Sequence, residues 1–487
     1  MNCRTRFAPS PTGYMHIGNL RSALYSYLIA KSLNGKFILR IEDTDKKRQV
    51  LNAEKIIYDT MRATNLEYDE GPEIGGEFGP YIQSDRKKIY VEYAKKLIDL
   101  GGAYYCFCEK HENLENYEDK KENNQKFECN CKNINQEKIL EFLSNKKSYV
   151  IRQKMPKSGK TSFEDLVFGH VEIENSELED QILIKSDGMP TYNFANVIDD
   201  HLMQISHVIR GCEYLSATPK YNLLYKSFGW EIPKYVHLPL IMGKNPDGSI
   251  TKLSKRAGAV SFLELTEEGY LPEAIVNYIA FLGWCPSDNQ EIFSLKELEQ
   301  KFSIKNIGKS PAIFDYEKLA WVNEQHIKLK SDEGFAGIIK KYVDFDIDLL
   351  KLAKILKPRV SKLRQIPEII KFLKELPDFD LKLLINKKNK TNKNNILLIL
   401  EKSIEILNNL SEISDWDNNK LFEVLSGLSE QINLKKNSIM WVVRVAVSGQ
   451  TVTPGGATEI LELLGKSESL LRLKKILNLC KNHNFGV

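Results

Sequence analysis

Two short segments of this chain carry groups that could hold a run of phosphates. Near the start, Pro9-Ser10-Pro11-Thr12-Gly13 leads into His16-Ile17-Gly18-Asn19. The prolines fix φ and Gly13 reaches angles closed to other residues, so a tight loop is expected just before a helix. A helix start favours anions because its first N–H groups have no partner inside the helix. His16 and Asn19 are three apart and share one face. His16 can donate to a phosphate oxygen, and Gly18 lets a nucleotide come close. Much later, Lys252-Leu253-Ser254-Lys255-Arg256 places three cations in five residues, with Gly258 nearby. Such a loop suits charge developing on a leaving pyrophosphate. A chance four-residue match and an ordinary basic surface loop are the plain alternatives.

Cysteine supplies a second constellation. Cys106-Phe107-Cys108 and Cys129-Asn130-Cys131 form two C-x-C pairs with 20 residues between them. Four soft thiolates suit tetrahedral zinc, with every position filled by protein and none open for chemistry. Two pairs of free thiols are the alternative. Cys3, Cys212, Cys285 and Cys480 are scattered, and eight cysteines in 487 residues do not make a disulfide scaffold. A reducing cytoplasm is therefore the expected compartment.

The elements that must position these groups follow from the pattern. Thr5 to Ala8 reads as a short strand. Asn19 to Ser32 reads as a helix, with Leu20, Ala23, Leu24, Tyr27 and Leu28 at helical spacing. Asn34-Gly35 stops it, and Phe37 to Ile41 reads as a buried strand. Strand, loop, helix, strand is a βαβ unit, which favours a parallel sheet. Residues from about 101 to 190 look like an insertion, with a polar stretch from Glu109 to Gln125. Strand-like runs at Tyr149–Arg152 and Gln181–Lys185 follow, then Tyr192–Ile198 and His207–Arg210 as the second half of the sheet. From about Leu271 the pattern turns helical, and Lys387 to Asn395, dense in Lys and Asn, reads as a solvated inter-helix loop.

A chain of this length needs several cores, and 42% hydrophobic residues can fill them. The net charge of +4 is compatible with nucleic acid without requiring it. No apolar run approaches the length of a membrane span, and no secretory signal follows Met1. No membrane partner is expected.

Taken together, the two phosphate segments resemble the paired signatures of the class I glutamyl- and glutaminyl-tRNA synthetases. Arg6-Phe7-Ala8-Pro9-Ser10-Pro11-Thr12-Gly13 through Asn19 resembles the first, and Lys252 to Arg256 the second. Further blocks look like the bacterial glutamyl branch: Arg40 to Asp45, Pro190-Thr191-Tyr192 to Asp200-His201, Leu271 to Ala274, Gly283-Trp284, and Ser310-Pro311-Ala312 with Phe314-Asp315. The likeness spans roughly residues 4 to 330 in order, with weaker echoes beyond. It implies a multidomain α/β plus α chain. Its Rossmann-type parallel-sheet catalytic domain would run through 1–100 and 191–250, interrupted at 101–190 by an acceptor-stem-binding domain carrying the zinc cluster. A stem-contact domain over 251–330 would carry the Lys252 loop, and a helical anticodon-binding domain would fill 331–487.

The resemblance also implies site roles. Pro9, Ser10, Gly13, His16, Gly18, Asn19, Glu213, Lys252, Ser254 and Lys255 would hold ATP, and His16, Asn19, Lys252 and Lys255 would act in catalysis. Arg6, Ala8, Ser10, Glu42, Tyr192, Asn196 and Arg210 would contact glutamate. A bound glutamate needs a cation for its γ-carboxylate and an anion for its amine. Arg6, Glu42 and Arg210 all end strands, where groups converge in such sheets, and Arg210 would take the γ-carboxylate. Tyr214 stands where several relatives carry Trp and keeps an aromatic lining role. Some bacterial glutamyl enzymes resemble the cysteine pattern, although their fourth ligand is often His. Arg359, within Leu356 to Val360, resembles the arginine of members that discriminate between tRNAs. The implied partners are ATP with Mg²⁺, L-glutamate, one structural Zn²⁺ and tRNA(Glu), handled by a monomer. The rivals are a non-discriminating enzyme that also charges tRNA(Gln), the short homologue that glutamylates queuosine in tRNA, the glutaminyl enzyme, and an RNA-binding protein with a decayed site.

Overall fold

The structure is a computed structural model and describes residues 3–45, 50–108, 129–245, 247–253, 261–412 and 415–482. The chain divides into two compact units, one of Met1–Thr266 with Pro272–Leu319 and one of Glu267–Leu271 with Ala320–Val487.

The first unit begins as the sequence suggests. Strand β1 (Arg4–Phe7), helix α1 (Ile17–Ser32) and strand β2 (Lys36–Leu39) form the βαβ unit, and the two strands pair in parallel from Arg4↔Lys36 to Phe7↔Leu39. All four β1 residues are buried, and α1 is buried around most of its circumference, so it is a central helix. At its end the chain must return directly to β1. Gly35 makes that possible, because a Cβ there would lie 2.2 Å from the Cys3 carbonyl oxygen. Helices α2 (Ala53–Ala63) and α3 (Lys87–Asp99) follow.

Strand β3 (Ala103–Cys106), helix α4 (Gln136–Ser144), and strands β4 (Val150–Gln153), β5 (Lys160–Asp165), β6 (Gly169–Glu174) and β7 (Ile182–Ile184) come next. β3, β4 and β7 make a small antiparallel sheet of order β3-β4-β7. It packs on α3, α5 (Tyr192–Leu202) and α6 (Thr218–Phe228) through Ile151, Leu183, Phe194, Val197, Tyr221 and Leu224. β5 and β6 form a hairpin that belongs elsewhere. β5 meets β9 (Lys234–Leu238) at Asp165↔Tyr235, and β9 pairs in parallel with β8 (His207–Gly211), giving the order β6-β5-β9-β8. β8 in turn lies beside β1, where Ser206 N–H donates to the Arg4 carbonyl at 3.0 Å.

One expectation is overturned here. Tyr192–Ile198, read with the second half-sheet, is the start of α5. Phe194, Val197 and Ile198 sit at i, i+3 and i+4 and are buried on one face, which is helical periodicity.

The unit closes with β10 (Ile241–Lys244), β11 (Ile250–Lys252), α7 (Phe262–Glu267), α8 (Pro272–Ala280), α9 (Leu295–Lys301) and β12 (Ala312–Phe314). β12 is a strand inside the stretch expected to be helical. It pairs in parallel with β10, which a local pattern of three residues could not announce.

From α10 (Tyr316–Leu329) onward the described elements are helices: α11 (Asp332–Ile339), α12 (Leu349–Leu356), α13 (Ile366–Lys374), α14 (Lys393–Asn408), α15 (Asn418–Gln431), α16 (Lys436–Ser448) and α17 (Ala457–Asn482). The Lys/Asn stretch is a loop as far as Asn392, whose side chain caps α14. α17 breaks at Gly465, where φ is 74°. No helix among the described residues is long and apolar enough to cross a membrane.

Candidate active site and metal site

A cavity of about 510 Å³ opens where β1, β8 and the start of α1 meet. The loop after β1 forms one wall through Ala8, Pro9, Ser10 and Thr12, and it is fastened to the strand beside it by Glu42 N–H donating to the Pro9 carbonyl at 3.0 Å. Gly13 has φ of 138° and supplies the bend, but it does not line the cavity. His16 caps α1, and its Nδ1 accepts the Gly18 N–H at 3.1 Å. That bond selects the tautomer with the proton on Nε2. His16, Gly18 and Asn19 all line the cavity.

Lys252 and Leu253 line the same cavity, although 232 residues separate Asn19 from Lys252. Ser261 and Phe262 lie at the same place. Ser261 pairs with His16 as an antiparallel bridge, and Phe262 N–H donates to the Met15 carbonyl at 3.0 Å. Ser254, Lys255 and Arg256 lie outside the described residues.

The cavity is also lined by Arg6, Glu42, Tyr192, Arg210, Glu213 and Tyr214. These two arginines differ. Arg6 is engaged, donating to both oxygens of Asp200 through Nε and Nη2 and to the Ile209 carbonyl through Nη1 at 3.2 Å. Arg210 has no acidic partner among the described residues. It donates to His237 at 3.1 Å and Thr218 at 2.6 Å, inside a ring of Tyr214, Tyr221 and Tyr235 whose centroids lie 5.2, 4.7 and 5.3 Å from its guanidinium carbon. An anion entering the cavity would find this cation uncompensated.

Glu42 is the complementary group. Its Oε1 accepts from Arg40 at 3.0 Å and Gln83 at 3.4 Å, and its Oε2 has no partner among the described residues. Burial pushes its carboxyl up to about 7, against the pull of Arg40 and Arg6. Tyr192 opens α5, with its ring 5.6 Å from that of Tyr214. Asn196, one turn on, is buried and does not line the cavity.

Sequence reasoning missed the charges beneath this floor. Asp200 accepts from Arg40 Nη1 at 2.8 Å as well as from Arg6. Asp199 accepts from Arg86 at 2.7 Å, Gln83 at 2.8 Å and the Tyr90 hydroxyl at 2.8 Å. Three guanidiniums and three carboxylates thus interlock with almost no water. Arg21 was missed too. It lines the cavity and donates to the carbonyls of Leu282, at 2.8 Å, and Pro239. The available signal was a charge set in an otherwise apolar helix or strand, as for Arg21 in α1, Asp199 and Asp200 in α5, and Arg40 after β2.

The four cysteines meet at the end of β3. Cys106 and Cys129 are buried, Cys108 and Cys131 partly so, and the four sulfurs lie within 4.8 Å of one another. Individual separations are 3.1 Å for Cys106–Cys129 and 3.6 Å for Cys108–Cys129 and Cys108–Cys131. Tetrahedral zinc, with Zn–S near 2.3 Å, would set edges of about 3.8 Å, so the thiols fit the ion with little movement. The Phe107 N–H points at the Cys131 sulfur, 3.3 Å away. Tyr104, Val150 and Ile182 pack around the cluster. The residues between the two pairs lie outside the described ones.

In the second unit, Arg359 is exposed just past α12. Arg444, half-buried, is held below its ordinary value by burial and by the charge of Arg359. Arg444 lies over the Trp441 ring at 5.1 Å and donates to the Thr451 carbonyl at 2.8 Å.

Comparison with known proteins identifies the class. A family model for the catalytic domain of class I tRNA synthetases (E and Q) matches residues 2–321, and one for an anticodon binding domain matches residues 334–477. The chain therefore belongs to the class I aminoacyl-tRNA synthetases of the glutamate and glutamine branch. It is 52% identical over 481 residues to the glutamate--tRNA ligase of Clostridium novyi, covering 97% of this chain and 96% of that one. It is 51% identical over 486 residues to the glutamate--tRNA ligase of Clostridium tetani, covering 98% of each. The crystal structure of a glutamate tRNA ligase from Elizabethkingia meningosepticum, in complex with its amino acid, superposes with a TM-score of 0.88 at 33% identity, covering 98% of this chain and 99% of that one. Within its class the chain belongs to the glutamate--tRNA ligase family.

Metal analysis of the purified protein is expected to give one zinc per chain, falling to near zero in Cys106→Ser. Protein that folds and melts as usual with no zinc after chelation would remove the metal from this site.

Proposed function

We propose that this chain joins L-glutamate to tRNA(Glu) in two steps at the cavity beside β1 and β8. The observation that carries the proposal is Arg210, a cation without an acidic partner among the described residues, lining the same cavity as Glu42, His16 and Lys252. A substrate with a carboxylate at one end, an ammonium nearby and a reacting group toward the phosphates satisfies them all.

In this reading Arg210 takes the γ-carboxylate and Oε2 of Glu42 takes the α-ammonium. Tyr192 and Tyr214 flank the side chain, with Ala8 and Ser10 beside the backbone atoms. Arg6 acts by holding Asp200, and Asn196, buried one turn beyond Tyr192, stands behind the lining residues. The α-carboxylate of glutamate attacks the α-phosphorus of ATP. A bond forms from carboxylate oxygen to phosphorus as the bond to pyrophosphate breaks, and the product is glutamyl-adenylate. His16, Asn19, Lys252 and Lys255 would stabilise the charge that builds on the phosphates, with Pro9, Gly18 and Ser254 contacting ATP, Gly13 supplying the bend, and Glu213 facing the ribose. Mg²⁺ bound with ATP would neutralise part of the triphosphate charge. The terminal ribose 2′-OH of tRNA then attacks the glutamyl carbonyl, AMP leaves with the anhydride oxygen, and an ester remains. No side-chain nucleophile is needed, since position and electrostatics supply most of the effect.

The zinc cluster shapes the acceptor-stem side and stays outside the chemistry. The second unit, matched as an anticodon binding domain, carries Arg359 beside Arg444, and this basic pair suits a phosphate or base edge. A domain of that kind disfavours the queuosine-modifying reading. A monomer in the cytoplasm completes the proposal.

Charging assays with purified tRNA(Glu) and tRNA(Gln), each offered glutamate and glutamine, test the reading. Glutamate on tRNA(Glu) alone is expected, with Arg359→Gln raising glutamate on tRNA(Gln). Glutamine incorporation, or no charging at all, would sink it. The pH dependence is a separate test. The Glu42 carboxyl, pushed up to about 7, pairs with an ammonium only when ionised. Glutamate binding must therefore expel a proton at lower pH, and KM for glutamate should fall as pH rises through about 7. A KM flat across that range would take the amine away from Glu42.

A further inference from the structure

Behind Arg210 runs a chain of buried groups that none of the proposed chemistry uses. His237, near the end of β9, has no exposed surface. Its Nε2 accepts from Arg210 Nε at 3.1 Å, and its Nδ1 lies 2.7 Å from Oδ2 of Asp165. Asp165 ends β5, the strand whose single pairing residue with β9 is Asp165 itself. Its carboxylate also accepts the backbone N–H groups of Val167 at 2.9 Å, Phe168 at 2.8 Å and His237 at 3.1 Å.

These bonds dictate a protonation pattern. Burial works against the Asp165 charge, but the hydrogen bonds from His237 and the backbone outweigh it and hold the carboxyl below its ordinary value. An ionised Asp165 can only accept, so the His237 proton must sit on Nδ1. That leaves the Nε2 lone pair aimed at Arg210 Nε–H. Thr218, also fully buried, holds the guanidinium from the other side: its Oγ1 accepts from Nη2 at 2.6 Å and donates to the Tyr214 carbonyl at 2.8 Å. Nη1 has no partner among the described residues. A guanidinium fixed at Nε and at one Nη2 hydrogen, and lining the cavity, keeps its remaining donors for a carboxylate, which it can engage with two parallel bonds.

We propose that Asp165, His237 and Thr218 are positioning residues that fix the angle of Arg210, so that selection for a carboxylate-bearing side chain rests on the Asp165–His237 pair as well as on the arginine. The inference builds on the reading of Arg210 given above. It also assigns a purpose to the β5–β6 hairpin: it delivers a carboxylate to the back of the substrate cation.

The test uses the full-length enzyme with saturating tRNA(Glu) and compares two amides at one position. In His237→Gln the amide oxygen can reach the place of Nε2 and still accept from Arg210. In His237→Asn the shorter amide reaches only the place of Nδ1, and Arg210 Nε loses its acceptor. Losing a hydrogen bond to a charged group corresponds to about a 10- to 100-fold change in an equilibrium. KM for glutamate is expected to rise by that order in His237→Asn, with kcat and KM for ATP near wild type, and His237→Gln should recover most of the loss. Should His237→Asn fail to fold, Thr218→Val, which deletes only the hydroxyl that holds Nη2, carries the same expectation. An unchanged KM for glutamate, equal losses in the Asn and Gln variants, or a fall in kcat matching the rise in KM would each overturn the inference. A wild-type enzyme that charges no glutamate would instead refute the function proposed above, so the two failures are told apart.

Discussion

A carboxylate sealed from water is tolerable only if donors surround it, and Asp200 is such a carboxylate. It sits near the end of α5 and accepts from Arg6 of β1 and from Arg40 just after β2. Its neighbour Asp199 takes Arg86, Gln83 and Tyr90 from the approach to α3 and from the helix itself. Two strands and two helices are thereby tied at one level of the first unit. Pairs of this kind add little net stability over apolar packing, but removing one member strands a buried charge at a cost of about 3–5 kcal/mol. What the lattice supplies is registry. With Arg6, Arg40 and Arg86 spent on Asp199, Asp200 and one oxygen of Glu42, the second oxygen of Glu42 is left without a partner among the described residues.

In the proposed function, recognition of the side chain then falls to Arg210. Three aromatic rings shield Arg210, and it has no acidic partner among the described residues. In the proposed function a ligand carboxylate completes it. A neutral amide in its place leaves a buried charge half-served, and sites built this way reject the wrong group far more strongly than a hydrophobic pocket rejects a missing methylene. Glutamate and glutamine differ in just this respect. The phosphate side works on another basis. There, His16, with its tautomer set by Gly18, and Lys252, at the end of β11, are brought within one cavity by backbone pairing, through the Ser261 bridge to His16 and the pairing of β11 with β10.

Much of this was legible in the sequence because it is written locally. The Pro9–Gly13 loop, the helix after it, the paired cysteines and the polar residues at the ends of β1, β2 and β8 each show in a few consecutive residues. The misreadings have a common physical cause, which is dependence on a distant partner. Tyr192–Ile198 carries apolar residues that satisfy a strand or a helix, and its packing on β7 and α6 decides. Arg6 lines the cavity as expected, but its ion pair with Asp200, 194 residues away, does not show in the sequence. His237 and Asp165 sit in short strands whose pattern says only that they are inside. Gly13 is the reverse case, a motif residue whose contribution is backbone geometry and not contact.

In the proposed function Arg210 awaits a γ-carboxylate, which glutamate brings and glutamine does not. Calorimetric titration of the enzyme with L-glutamate and with L-glutamine, in the presence of tRNA(Glu) and a non-hydrolysable ATP analogue, measures it directly. Saturable binding of glutamate is expected, with glutamine at least about tenfold weaker, the least that losing a charge-assisted hydrogen bond implies, and with Arg210→Leu binding neither well. Equal affinity for the two amino acids, or undiminished glutamate binding by Arg210→Leu, would contradict the account.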